Sequence, residues 1–231
     1  MRIKPNIDDK RLTRKIFGFN ELLKRTKLDV IEEKPLSLFL NDQEIVTMMT
    51  INDHPKFLAL GYLLNQNMIS SRTKIEKVEY YDDLMTVVVR TKKPVDYQKK
   101  LRKKTLTSGC AQGTLFGDIM ESFKKIKFKD VPKLKMSWIY ELSKKINLMP
   151  SLYLKAGAIH GCVLCEKNKP LVYMEDVGRH NAIDKIAGFM FVKKVKPGNK
   201  IFYTTGRLTS EMVIKAVKMK IPIVISRSGF T

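Results

Sequence analysis

Residues 175–185 read Glu175-Asp176-Val177-Gly178-Arg179-His180-Asn181-Ala182-Ile183-Asp184-Lys185, a set able to bind anions, orient a polar ligand or move protons. The stretch follows the apolar run Leu171-Val172-Tyr173. It precedes apolar residues at Ile183, Ile186, Ala187 and Met190, the spacing of one helix face. The polar cluster therefore belongs where a strand ends and a helix begins. At such a junction unpaired N–H groups and the positive end of the helix dipole point outward. Thr205-Gly206-Arg207 has the same character, ahead of a helix starting near Thr209 with Ser210 in its first turn. Glycine lets a backbone approach phosphate, and arginine supplies a two-pronged donor. Ser226-Arg227-Ser228-Gly229 follows the last apolar run and can join the same sheet edge. Alone, each junction is also readable as an ordinary strand-to-helix turn.

Cys110 sits in Thr107-Ser108-Gly109-Cys110-Ala111-Gln112-Gly113, a basic stretch without a regular period. Glycines leave a loop thiol uncovered, and nearby lysines favour the reactive thiolate. A small buried loop residue fits the spacing equally well. Cys162 and Cys165 form a Cys-x-x-Cys behind His160. The segment reads as a strand, on which positions three apart face opposite sides, and no second Cys/His pair completes a four-ligand site. Two buried thiols are expected there and no metal. His160, after Ala156-Gly157, is either a partner of His180 and Arg179 in one cleft or a core histidine bonded to a carbonyl.

These groups need elements to position them. Residues 1–30 are expected as a basic N-terminal arm, helical over 11–25 with Leu12, Ile16, Phe19 and Leu23 on one side. Residues 31–106 are expected as an α+β part. It begins with strands at 35–40 and 44–49, followed by a helix capped by Asn52 or Asp53 with Pro55 in its first turn. A second hairpin turns at Asp82-Asp83. Residues 107–132 hold the cysteine loop. Residues 133–231 carry the α/β core: a helix over 133–147 with Leu134, Trp138 and Leu142 inward, strands at 156–165 and 171–174, the helix after Gly178, a strand at 200–204, a helix at 209–220 and a last strand at 221–226. Alternation of strand and helix predicts parallel neighbours in that sheet.

The chain has 231 residues, 44% of them hydrophobic, with no stretch apolar enough to span a bilayer and no signal-peptide pattern at the start. A cytoplasmic protein is expected. The formal charge is +21, which favours an anionic partner. The lysines are scattered along the chain, which is the pattern of a solvated surface. Three cysteines are too few and too uneven for a disulfide framework.

Taken together, Pro35-Leu36, Met48-Met49-Thr50, Leu60-Gly61-Tyr62-Leu63, the 175–185 stretch and Gly206-Arg207-Leu208-Thr209-Ser210-Glu211-Met212-Val213-Ile214-Lys215 resemble the FdhD family, sulfur carriers that serve formate dehydrogenase maturation. The resemblance runs from about Glu33 to Thr231. It implies a cytidine-deaminase-like α/β core without the zinc site, and a homodimer. It implies that persulfide sulfur from a cysteine desulfurase passes through the chain to the bis(molybdopterin guanine dinucleotide) cofactor of a formate dehydrogenase. Ser108-Gly109-Cys110 matches the family's persulfide loop, so Cys110 takes the catalytic role by resemblance. Gly157, His160, Asp176, Arg179, His180, Asn181, Gly206, Arg207 and Ser210 become the expected cofactor cradle. Neither nucleic acid nor membrane is among the expected partners.

Three departures accompany the resemblance. Gly113 stands where many relatives carry a second loop cysteine, which removes a two-thiol relay. The usual Gly-Gly before the strand histidine is Ala156-Gly157. The family's closing helix, strand and Gly-Phe-x-Arg stretch lie beyond Thr231, so a truncated product or a cofactor pocket lacking part of its guanine end is expected. A cofactor-binding chaperone without sulfur chemistry is the rival reading. A zinc deaminase needs His-x-Glu and Pro-Cys-x-x-Cys; this chain has His160-Gly161-Cys162 and no proline before Cys162.

Overall fold

A computed structural model describes residues 1–95, 126–128 and 131–231, together with the backbone of 104–106 and 114–116. The arm is a β-hairpin, β1 (Thr13–Phe19) with β2 (Arg25–Ile31), and not the expected helix. Two local features override the helical spacing. Gly18 lies inside the proposed helix, and the Asn20 side chain accepts the N–H groups of Leu22 and Lys24, both at 3.0 Å, closing a turn. The base of the hairpin is anchored: Leu12 and Ile31 pack with Ile51, Leu152 and Ile159.

The first sheet has the order β4-β3-β6-β5, built from β3 (Lys34–Leu40), β4 (Gln43–Thr50), β5 (Ile75–Tyr81) and β6 (Thr86–Thr91). β3 and β6 run parallel, and the other pairs are antiparallel. Leu36, Leu38, Leu40, Val87 and Val89 alternate inward, as period-two strands must, onto helix α1 (Pro55–Asn65). His54, not Asn52 or Asp53, is the α1 N-cap, and Asp53 is drawn into an ion pair described below. The short strands β7 (Lys104–Leu106) and β8 (Thr114–Phe116) pair antiparallel.

The second sheet has the order β10-β9-β11-β12, from β9 (His160–Glu166), β10 (Lys169–Asp176), β11 (Lys200–Thr204) and β12 (Ile223–Ser226). Only β11 and β12 are parallel. The tight turn at Lys167 and Asn168 forces β9 and β10 into a hairpin, against the expected parallel arrangement. Helix α2 (Met136–Asn147) covers one face through Leu142 and Ile146, while Leu134 precedes the helix and is exposed. The one-and-a-half-turn α3 (Leu152–Ala156) precedes β9 and overlaps the expected strand at 156–165 at Ala156 alone. Helices α4 (Arg179–Val192) and α5 (Ser210–Lys218) cover the other face. With helices on both faces, β11 and β9 between Gly161 and Cys165 are buried, which explains their apolar runs. Cys162 packs on the α4 side and Cys165 on the α2 side, as the strand spacing predicts.

The two sheets meet through α1 and α4, which cross glycine to glycine. A Cβ added at Gly61 would lie 1.7 Å from the Asp184 carbonyl oxygen, and one at Gly188 would lie 1.9 Å from that of Phe57. No side chain fits there, so either substitution must part the helices. Gly61→Ala is expected to lower unfolding stability by about 3 kcal/mol. Gly198→Ala, at a position with open space around it, should change it by less than about 0.5 kcal/mol. Urea unfolding followed by circular dichroism compares the two.

Candidate functional site

Strand register gathers the junctions at one edge of the second sheet. His160 opens β9 opposite Asp176 at the end of β10, and Thr204 ends β11 beside Ser226 at the end of β12. Helices α4 and α5 start from this edge. Their N-caps, Gly178 and Thr209, make no side-chain capping bond, so the positive ends of both helices lie at the edge without a side-chain cap.

Arg179, His160 and Gly206 converge here. A Cβ at Gly206 would stand 3.0 Å from Arg179 Cδ and 3.4 Å from His160 Nδ1, so the glycine is what makes room for the guanidinium beside the imidazole. Arg179 is only 6% exposed, and its Nε and Nη2 are buried without a hydrogen-bond partner among the described residues. A buried guanidinium with idle donors is costly unless an anion completes it. His180 lies alongside, its Nε2 3.1 Å from Glu211 Oε2. Burial, then Lys215, Arg179 and His160, push the His180 pKa down to about 3. The ring is neutral near pH 7, so its contact with Glu211 is not an ion pair. Burial and then the Arg179 and Arg227 charges lower His160 as well. The edge thus offers one buried fixed cation between two neutral imidazoles.

Hydroxyl groups hold the 204–206 turn. Thr204 Oγ1 accepts Gly206 N–H at 3.1 Å, and Thr205 Oγ1 accepts Gly161 N–H at 2.9 Å. Ser226 Oγ donates to the Gly206 carbonyl at 2.9 Å, and Ser228 Oγ to that of Thr205 at 2.6 Å. The 226–229 segment therefore does share this edge. Arg227 stacks 4.9 Å from the Tyr153 ring centroid and donates to Asn147 Oδ1 at 3.2 Å. Arg207 and Ser210 are exposed at the start of α5. Gly157 takes a left-handed conformation (φ 66°) and turns α3 into the lead of β9.

Asp176 and Asn181 are placed differently from the expectation: both are buried and committed to the joint between the sheets. Asp176 Oδ2 accepts from Thr50 Oγ1 at 2.5 Å and lies 2.6 Å from Lys185 Nζ, and Asn181 Nδ2 donates to the Met49 carbonyl at 2.7 Å. Cys110 lies outside the described residues. Of the charges of this joint, Asp53 reads in sequence as a helix cap, Asp184 and Lys185 as part of the 175–185 stretch, and Lys215 as a charge in an apolar helical pattern; none of these readings records the ion pairs. Among the described residues no group of three or more His, Cys, Asp or Glu is disposed to hold a metal ion. Burial, partly offset by a contact with Thr204, pushes the Cys162 thiol up to about 12, far from a thiolate at neutral pH.

The FdhD/NarQ family profile matches residues 31–231. The chain belongs to the FdhD/NarQ family. It is 28% identical over 204 residues to the sulfur carrier protein FdhD of Bacillus pumilus, covering 88% of this chain and 78% of that one. The FdhD sulfur carrier of Wolinella succinogenes is 29% identical over 206 residues, covering 87% and 71%. Among solved structures, a candidate formate dehydrogenase accessory protein from Desulfotalea psychrophila superposes with a TM-score of 0.72 at 25% identity, over 95% of this chain and 84% of that one. The mixed α/β architecture is thus shared with an FdhD/NarQ-type neighbour.

Glu175, next to the cradle, holds the helix that leads into β9. Its carboxylate accepts Leu152 N–H at 2.8 Å and Tyr153 N–H at 3.1 Å. Burial raises its pKa from 4.5 to about 7 despite those two bonds. A pKa raised on folding means that stability linked to this proton is fully present below about pH 4.5 and is lost as pH rises through about 7. Glu175→Gln should abolish that dependence. The difference in stability between the two proteins is expected to change by up to about 3 kcal/mol across the window, read from melting curves collected at intervals of pH.

Proposed function

We propose that this chain is a sulfur carrier for formate dehydrogenase maturation, with Cys110 as the carrying thiol and the sheet edge at Arg179 as the cradle for the bis(molybdopterin guanine dinucleotide) cofactor. The observation that carries the cradle is the buried Arg179 guanidinium with idle Nε and Nη2 donors, in the first turn of α4 beside Gly206, at an edge where the N-termini of α4 and α5 lack side-chain caps. A phosphate is the ligand that such donors and dipoles suit. His160 and Gly206 flank the same opening, while Arg207 and Ser210 extend it along α5. The relatives' names support the sulfur-carrying role.

In this proposal the cofactor is cargo. It supplies the metal-bound acceptor for sulfur; the chain supplies the thiol and the binding edge. Cys110 thiolate attacks the terminal sulfur of a cysteine desulfurase persulfide, a new S–S bond forms on Cys110, and the desulfurase thiolate leaves with the electron pair of the broken S–S bond. Arg179 and the α4 and α5 N-termini meanwhile hold phosphate. His160 and His180, both neutral, orient the ligand by hydrogen bonds without adding charge. We further infer a cytidine-deaminase-like core that has lost the zinc chemistry, a homodimer and a cytoplasmic setting. His160-Gly161-Cys162 lacks the glutamate that a deaminase would use as its acid and base, which supports the first of these inferences.

Two experiments separate the parts of this proposal. Incubation with a cysteine desulfurase and cysteine, followed by mass spectrometry, should add one sulfur to Cys110; Cys110→Ala should carry none. A chain that stays unmodified under conditions that load a control carrier would instead be a cofactor chaperone. For the cradle, guanosine diphosphate titrated calorimetrically should bind at least about tenfold more weakly to Arg179→Ala, the loss of one buried charge-assisted bond. That variant should still load sulfur on Cys110. Unchanged nucleotide affinity would remove Arg179 from the cradle.

A further inference from the structure

All of the β1–β2 hairpin but Ile31 precedes the span that matches the family, and its far end is built unlike a soluble turn. Leu22 and Leu23 form the tip and are 67% and 82% exposed, and Phe17 and Phe19 behind them are 63% and 71% exposed. Leu23 adopts a left-handed backbone conformation (φ 57°), the position where glycine or asparagine is ordinarily found in a three-residue hairpin loop. A leucine there costs about 1–2 kcal/mol of backbone strain and gains no burial within the chain. Both terms oppose this residue unless something outside the chain covers it.

The charges around the tip narrow what covers it. Lys24, Arg25 and Lys27 are exposed just behind the leucines, with Arg25 stacked 4.2 Å from the Phe17 centroid, and Glu21 is the one acid in the turn. Lys15 is partly balanced by Asp29, its cross-strand partner. A second copy would bring the same cations face to face, which like-charge repulsion disfavours. Nucleic acid would meet the apolar tip before the cations. A protein pocket would have to be concave to receive two leucines projecting from a convex turn. A bilayer interface needs no such pocket: aliphatic tips enter the acyl boundary, aromatic rings sit at headgroup depth, and lysine and arginine reach the phosphates. Along the hairpin the leucines lead, and Phe19 and Phe17 lie level with their cross-strand partners Arg25 and Lys27, so rings and cations reach headgroup depth together.

We propose that the β1–β2 hairpin docks this protein peripherally on an anionic lipid surface, with Leu22 and Leu23 entering the interface and Lys24, Arg25 and Lys27 meeting lipid phosphates. This departs from the expectation of no membrane contact. It is compatible with the absence, among the described residues, of any helix long and apolar enough to cross a membrane. It is independent of sulfur transfer and of the nucleotide cradle.

Cosedimentation of the full chain with vesicles of phosphatidylcholine, with and without phosphatidylglycerol, tests it. Binding should require phosphatidylglycerol and weaken as salt is raised. Leu23→Asn keeps a residue that tolerates the left-handed turn, so it should melt no lower than the parent chain yet bind anionic vesicles roughly tenfold more weakly. Replacing Lys24, Arg25 and Lys27 with glutamine should also weaken binding. Equal binding by Leu23→Asn overturns the proposal, as does equal affinity for neutral vesicles. Loss of self-association on gel filtration in Leu23→Asn, with vesicle binding unchanged, would assign the tip to a second copy. Retention of the chain by an acidic protein or RNA, without any binding to vesicles, would likewise overturn it.

Discussion

Everything at the sheet edge depends on α1 and α4 touching backbone to backbone. With glycine at 61 and 188 the helices approach so closely that Asp53, just before α1, reaches Lys185 in α4. Lys185 is fully buried and binds three groups at once: Asp53, Asp176 and the Glu175 carbonyl. Burial alone would drive its proton off, but Asp176 and Asp53 outweigh that and leave the ammonium more firmly protonated than usual. Such a cluster is not an efficient source of stability, because its desolvation is expensive. Its value here is geometric. It binds the end of β10, the approach to α1 and the second turn of α4 to one point, so the first turn of α4 has little freedom left.

That first turn carries Arg179, and the contrast within one helix is informative. Six residues apart, Lys185 has more anionic partners than it needs, whereas Arg179 has idle donors. Asp184, in the same helix, is likewise satisfied, by Asn65 and Lys215. Satisfied charges fill the interior of the joint, and the unsatisfied one faces the opening beside Gly206. Among the described residues, the charges of the joint are paired, while Arg179 keeps two donors idle beside Gly206.

Sequence carried the second half well because its elements are long, buried on both faces and sharply bounded. The strands β9 to β12 and the helices α4 and α5 were readable within a few residues. The shared edge followed from their junctions, and the opposite facing of Cys162 and Cys165 from strand period alone. The hairpin at the N-terminus was misread because Leu12, Ile16, Phe19 and Leu23 mimic a helical face. What decided the matter was local: Gly18 breaks the helix and the Asn20 side chain closes the turn. Asp176 and Asn181 were misplaced for a different reason. A polar residue at a strand-to-helix junction can face either the opening or the neighbouring layer, and the choice rests on Thr50 and Met49, some 130 residues earlier by numbering. No local pattern records that contact. The role of Glu175 as the anchor of α3 was hidden in the same way.

The neutral histidines complete the logic of the edge. An arginine buried beside two imidazoles would be strongly destabilised if either ring were protonated, so the cation and the burial together hold both rings neutral. Neutral imidazole can donate from one nitrogen and accept at the other, which imidazolium cannot. Burial comes first, joined by Lys215 and Arg179 at His180 and by Arg179 and Arg227 at His160, and it keeps imidazole acceptors available beside the arginine donors. In the proposed cradle, a ligand with both phosphate oxygens and N–H groups is met on both counts. The charge of +21 distributed over the surface adds long-range attraction for such an anion. In the proposed cradle, discrimination between anions rests on the few buried groups at the edge, whose fixed positions trace back to the glycine crossing.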